Sequence, residues 1–135
     1  MEIRVRHLQG VQFEAEARGH RLVCDQPVSN GGSDTGMTPP ELLLASLGTC
    51  AGFYAAQYLR NHHLSQEGLE VTVSSEKAAA PARLGSFQVN VIAPGLTADH
   101  EAGLMRSVNA CLIKNTLALP PTIETVLHTH ETAHT

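Results

Sequence analysis

The chain has 135 residues, 42% of them hydrophobic and 16% charged, with a formal net charge of -4. That length fits one domain, expected to span residues 1–135, and leaves no room for a second. Acidic and basic residues are interspersed, which speaks against a nucleic acid or an anionic membrane surface as partner; the expected ligand is small or neutral.

Met1 to Arg6 alternates charged with apolar residues and lacks the apolar stretch of a signal peptide. No later run approaches the length of a membrane span, so a soluble, cytoplasmic protein is expected. Residues 2–25 carry period-2 stretches with Ile3 and Val5, Val11 and Phe13, then Leu22 and Cys24 facing one way, broken at Gly10 and at Gly19-His20. This pattern predicts a three-stranded antiparallel opening. Pro27 to Thr38 is rich in Pro, Ser, Asn, Gly and Asp and predicts a flexible surface connection, of a length that often borders active sites.

The segment TPPELLLASLGTCAGFYAAQYLRNHH follows. Thr38 with Glu41 three residues later fits a capping box, and prolines at the first helical positions need no amide donor. The helix beyond is apolar nearly all round as far as Arg60, Asn61, His62 and His63, so burial on most sides is expected. The histidines suit a helix end, where a cation is favourable. Residues 69–77 and 86–93 alternate strictly about an Ala/Pro-rich turn at Pro81 and predict a hairpin. LTADHEAGLMRSVNACLIKNTLAL predicts a second helix, with Thr97 as N-cap, Asp99 and Glu101 in the first turn, and Cys111 on the apolar face. Pro120 and Pro121 end it, and Ile123 to Thr129 alternates as a last strand. The order is α+β. A sheet of about six strands covers one face of the central helix but hardly all of it, which predicts a homodimer.

Three cysteines, far apart and odd in number, do not form a secreted disulfide framework, and no CxxC pair suggests structural zinc. Cys50 lies among Ala45, Gly48, Gly52, Ala55 and Ala56, small residues that let other backbone approach. A buried cysteine is often only a small hydrophobe, and that reading applies to Cys50, to Cys111 and most of all to Cys24. Two cysteines on two helices favour chemistry, because a peroxidatic thiolate needs a second thiol to condense with its sulfenic acid. Cys50 sits too far along its helix for the dipole to help, so a cation must lower its pKa; the candidates are Arg18, Arg21, Arg60 and Arg106. His130, Glu131 and His134 spell HExxH, the zinc-protease pattern, but the preceding alternation is strand-like and only Thr135 follows. No metal site and no cofactor are expected there, although the tail with His128 could bind metal adventitiously.

GMTPPELLLASLGTCAGFYAAQYL resembles the first active-site helix of the OsmC/Ohr family, and AGLMRSVNACLIKNTLAL resembles its second cysteine helix. The resemblance covers essentially the whole chain and is nearest to the less characterised OsmC-like branch. It implies antiparallel sheets wrapped around central helices in an intertwined homodimer, and reduction of organic hydroperoxides by a cysteine pair recharged by a dithiol. Cys50 matches the peroxidatic cysteine and Cys111 the resolving one. EARGHRLVCD is similar to the segment carrying the family's arginine, which makes Arg18 the first choice and Arg21 the second. The family's acid falls at Pro40, with Glu41 as its neighbour. Nine residues of ideal helix turn through about 900°, which sets Glu41 roughly opposite Cys50 and favours capping over holding an arginine. Leu47, Phe53 and Tyr54 are expected to form an alkyl pocket. The competing reading is an OsmC-fold protein that binds a small hydrophobic ligand without turnover.

Overall fold

The computed structural model describes residues 1–130. The opening is the predicted antiparallel sheet, β1 (Arg4–His7), β2 (Phe13–Ala17) and β3 (His20–Cys24), in the order β1-β2-β3. Val5 lies opposite Ala15 and Ala15 opposite Leu22, while Phe13 lies opposite both His7 and Cys24. These residues share one face, as the alternation requires. Val5, Phe13 and Leu22 are nonetheless exposed, and among the described residues the sheet packs substantially on no other element.

The loop after β3 was expected to be flexible, but a buried carboxylate pins it. Asp25, 1% exposed, accepts hydrogen bonds from the Thr35 hydroxyl (2.7 Å), the amides of Thr35, Ser33 and Gln26, and the Gln12 side chain. The Thr35 hydroxyl, followed by the Thr35 and Gln26 amides and Gln12, holds the Asp25 carboxyl well below the usual carboxylate range despite its burial. A carboxylate with a depressed folded pKa contributes stability above its unfolded value, about pH 4, and loses it as the pH falls. The urea midpoint should therefore drop between about pH 7 and pH 3, and Asp25→Asn should lower it at neutral pH and flatten the fall. Parallel native and variant curves would remove this role.

The central helix α1 (Pro39–Asn61) starts with the expected box: Thr38 accepts from the Glu41 amide, and Glu41 accepts from the Thr38 amide and hydroxyl. By length and composition α1 is long and apolar enough to cross a membrane, contrary to the sequence expectation. Within the chain one stripe is buried, Leu47, Ala51, Ala55 and Leu59 at four-residue spacing. Burial on most sides is thus not met by a single chain; Leu43 and Phe53, the latter 60% exposed, face outward.

The buried stripe packs on the hairpin β4 (Glu70–Ala78) and β5 (Arg83–Ile92), paired antiparallel through the predicted turn at Pro81. Val71, Val89 and Val91 pack against the core cluster that includes Ala51 and Ala55. Gly48 allows this approach, since a Cβ there would stand 3.1 Å from a Val73 methyl.

The second helix is broken, where continuous apolar spacing predicts one element. A short 3-10 turn (Ala98–His100) leads into α2 (Glu101–Asn109), and α3 (Leu112–Ala118) follows after Cys111 adopts φ -55 and ψ 126. Thr97 precedes the turn but makes no side-chain cap. Leu104 and Val108 join the core, and the Tyr58 hydroxyl bonds His100 Nδ1 at 2.7 Å, tying α2 to α1. Gly103 leaves room for that hydroxyl, which a Cβ would strike.

The expected last strand is absent: residues 123–129 follow the prolines without ladder partners, and Ile123 and Leu127 are 84% and 86% exposed. A strand needs an edge to pair with, and this segment meets none among the described residues.

Candidate active site at the cysteine pair

Cys50 projects from the middle of α1, half-buried; Cys111 is the N-cap of α3 and 1% exposed. The chain brings the two thiols, both free, close enough for each to shift the other's titration. The break in the second helix accounts for the rest of the geometry. Turning at Cys111 starts a new helix whose first amides, Ile113 and Leu112, come close enough to the Cys50 sulfur to lower its pKa.

These contacts separate the two sulfurs chemically. Burial pushes the Cys50 thiol up, but the hydrogen bond from Cys111 and the amides of Ile113 and Leu112 outweigh it, and the net displacement is downward. Cys111 moves the other way, raised by burial and by its proton's engagement with Cys50. The opposite displacements make Cys50 the more readily ionised thiol of the pair and Cys111 the less.

The other sequence-derived residues are not gathered here. Arg18 sits at the β2–β3 turn with φ 53, and Arg21 is exposed and held by Glu16 at 2.9 Å and Glu14 at 3.9 Å. Among the groups acting on Cys50 there is no arginine. Arg60 and Arg106 line separate surface clefts. Glu41 is committed to its cap, where the Thr38 amide and then its hydroxyl hold its carboxyl below the usual range. Leu47 lines a cavity of about 230 Å3 that also reaches Cys111. Phe53 and Tyr54 stack edge-on at 5.3 Å, and neither lines that cavity. Sequence reasoning missed the Leu112 and Ile113 amides, because backbone donors leave no residue signature. Among the described residues no group of three or more His, Cys, Asp or Glu could hold a metal. Glu131 and His134 of the HExxH run lie outside the described residues.

A family model described as OsmC-like protein matches residues 31–126, the stretch that contains α1, the hairpin, Cys50 and Cys111. The chain belongs to the OsmC family. Among solved structures it is similar to a candidate osmotic stress induced and detoxification response protein from Psychrobacter arcticus 273-4, at 19% identity and TM-score 0.76, over 84% of this chain and 85% of that one. An OsmC like protein from Mycoplasma pneumoniae matches at 16% identity and TM-score 0.71, over 87% and 86%. An organic hydroperoxide resistance protein OsmC from Legionella pneumophila matches at 18% identity and TM-score 0.59, over 87% and 89%. At these identities the likeness is one of fold. Among curated proteins none matches the chain.

Proposed function

We propose that this OsmC protein reduces organic hydroperoxides with Cys50 as nucleophile and Cys111 as resolving thiol. The observation that carries the reading is the closeness of the two thiols, with Cys50 displaced towards ionisation by Cys111 and two backbone amides and Cys111 displaced the other way. The thiolate attacks the terminal peroxide oxygen, the O–O bond breaks, and the alkoxide leaves and takes a proton as the alcohol. Cys50 becomes a sulfenic acid. Cys111 then attacks that sulfur, water departs, and a disulfide forms, which an external dithiol reduces. The Leu112 and Ile113 amides stabilise the thiolate before the attack, as preorganised dipoles do in a half-buried site.

The working unit is a homodimer. The apolar face of the β1–β3 sheet, exposed in one chain, is the surface a second copy covers, and it brings Arg18 or Arg21 into play as the cation at the cysteine pair. Three free cysteines suit the reducing cytoplasm.

A coupled assay with an alkyl hydroperoxide and a dithiol tests the reading. The native protein should consume peroxide continuously, and Cys50→Ser should fall to the rate of the dithiol alone. Equal rates for the two proteins would leave the second reading, ligand binding without turnover. That reading draws on Pro40 standing where the family's acid falls, while the neighbouring Glu41 is committed to its helix cap.

A further inference from the structure

Cys111 forms part of the wall of a space that Cys50 does not line. Between α1, β5 and the α2–α3 corner, Leu47, Phe87 and Val89 bound a cavity of about 230 Å3, with Asn109 and Lys114 completing the lining. Lys114 is steadied there, its Nζ donating to Asn109 Oδ1 at 2.6 Å. The cavity therefore offers a mostly aliphatic bore and a cation, with the buried Cys111 in its wall.

We propose that the dithiol that recharges the enzyme enters this cavity on an aliphatic arm and attacks the Sγ of Cys111, while the peroxide meets Cys50 from the other side of the pair. The proposal rests on the two-cysteine reading and assigns it a second entrance. A thiolate must approach a disulfide in line with the S–S bond, so the sulfur attacked is the one reached from behind. A reductant in the cavity reaches Cys111. Its sulfur bonds to Cys111 Sγ, the Cys50–Cys111 bond breaks, and the electron pair departs on Cys50. The leaving thiolate is received by the Leu112 and Ile113 amides, which makes Cys50 the better leaving group. The reductant's second thiolate then attacks its own sulfur in the mixed disulfide, closing a cyclic disulfide and releasing Cys111, which takes up a proton. Two electrons pass from the dithiol to the protein. Lys114 draws the attacking thiolate towards the cavity by charge.

The test uses the full chain with its Cys50–Cys111 disulfide formed by diamide, so the result does not depend on peroxide turnover. Brief exposure to butanethiol, acid quenching and peptide mapping should find the mixed disulfide on Cys111 with Cys50 free. Val89→Phe, which fills the cavity from β5, should slow reduction by dithiothreitol about tenfold while oxidation of the reduced protein by an alkyl hydroperoxide changes less than about twofold. A mixed disulfide on Cys50 would overturn the proposal, as would native-rate reduction of folded Val89→Phe. Should that variant not fold, the mapping on the native chain decides alone. If diamide cannot link the two cysteines, this proposal and resolution by Cys111 fall together. If it links them but peroxide does not, only the peroxidase reading fails, and the mapped sulfur still decides the entrance.

Discussion

Cys111→Ser is expected to consume one equivalent of alkyl hydroperoxide without added thiol and stop at a Cys50 sulfenic acid, which a second equivalent takes to the sulfinic acid, whereas Cys50→Ser leaves Cys111 reduced at low dose. The difference in kind follows from the opposite displacements of the two thiols. A third variant separates the contributions to the Cys50 sulfur. Serine at position 111 still offers a hydroxyl donor; Cys111→Ala offers none. The rate of Cys50 alkylation rises with pH through the Cys50 pKa, because only the thiolate reacts. Cys111→Ala should move that midpoint to higher pH, and Cys111→Ser should move it less. The Leu112 and Ile113 amides remain in both variants, so neither should return Cys50 fully to free-thiol behaviour. Coincident profiles for native protein and Cys111→Ala would show that Cys111 does not tune its partner.

The second large effect concerns assembly. At micromolar concentration the chain should sediment as a dimer, because a single copy leaves Val5, Phe13, Leu22, Phe53, Ile123, Val126 and Leu127 exposed. Soluble monomers rarely expose contiguous apolar patches larger than a few hundred Å2. A paired substitution on one sheet face, Val5→Asp with Leu22→Asp, should abolish the dimer and lower thermal stability, since burial of apolar surface by the second copy is then lost. A native monomer with full helical content, measured by sedimentation and circular dichroism, would contradict this.

Local signals carried much of the fold. The capping box at Thr38 and Glu41, the alternation of residues 69–77 and 86–93, and the breaker at Pro81 each act over a few residues, and each is present. The elements that departed from expectation depend on distant contacts. Cys111 lies on an unbroken apolar spacing, yet the chain turns there so that its thiol and the next amides meet α1. Ile123 to Thr129 has the period of a strand but no edge to pair with among the described residues. Side-chain chemistry pointed to Cys50 and Cys111 as a pair. It pointed equally to an arginine beside Cys50, whereas within one chain backbone amides occupy that role, and no composition or spacing encodes their direction.

The most direct measurement is mass spectrometry of the native protein after a sub-stoichiometric dose of an alkyl hydroperoxide, with free thiols blocked before digestion. The account predicts an intramolecular Cys50–Cys111 disulfide in proportion to the dose, with Cys24, half-buried at the end of β3, still reduced. Oxidation spread over all three cysteines, at the slow rate of free cysteine, would contradict it.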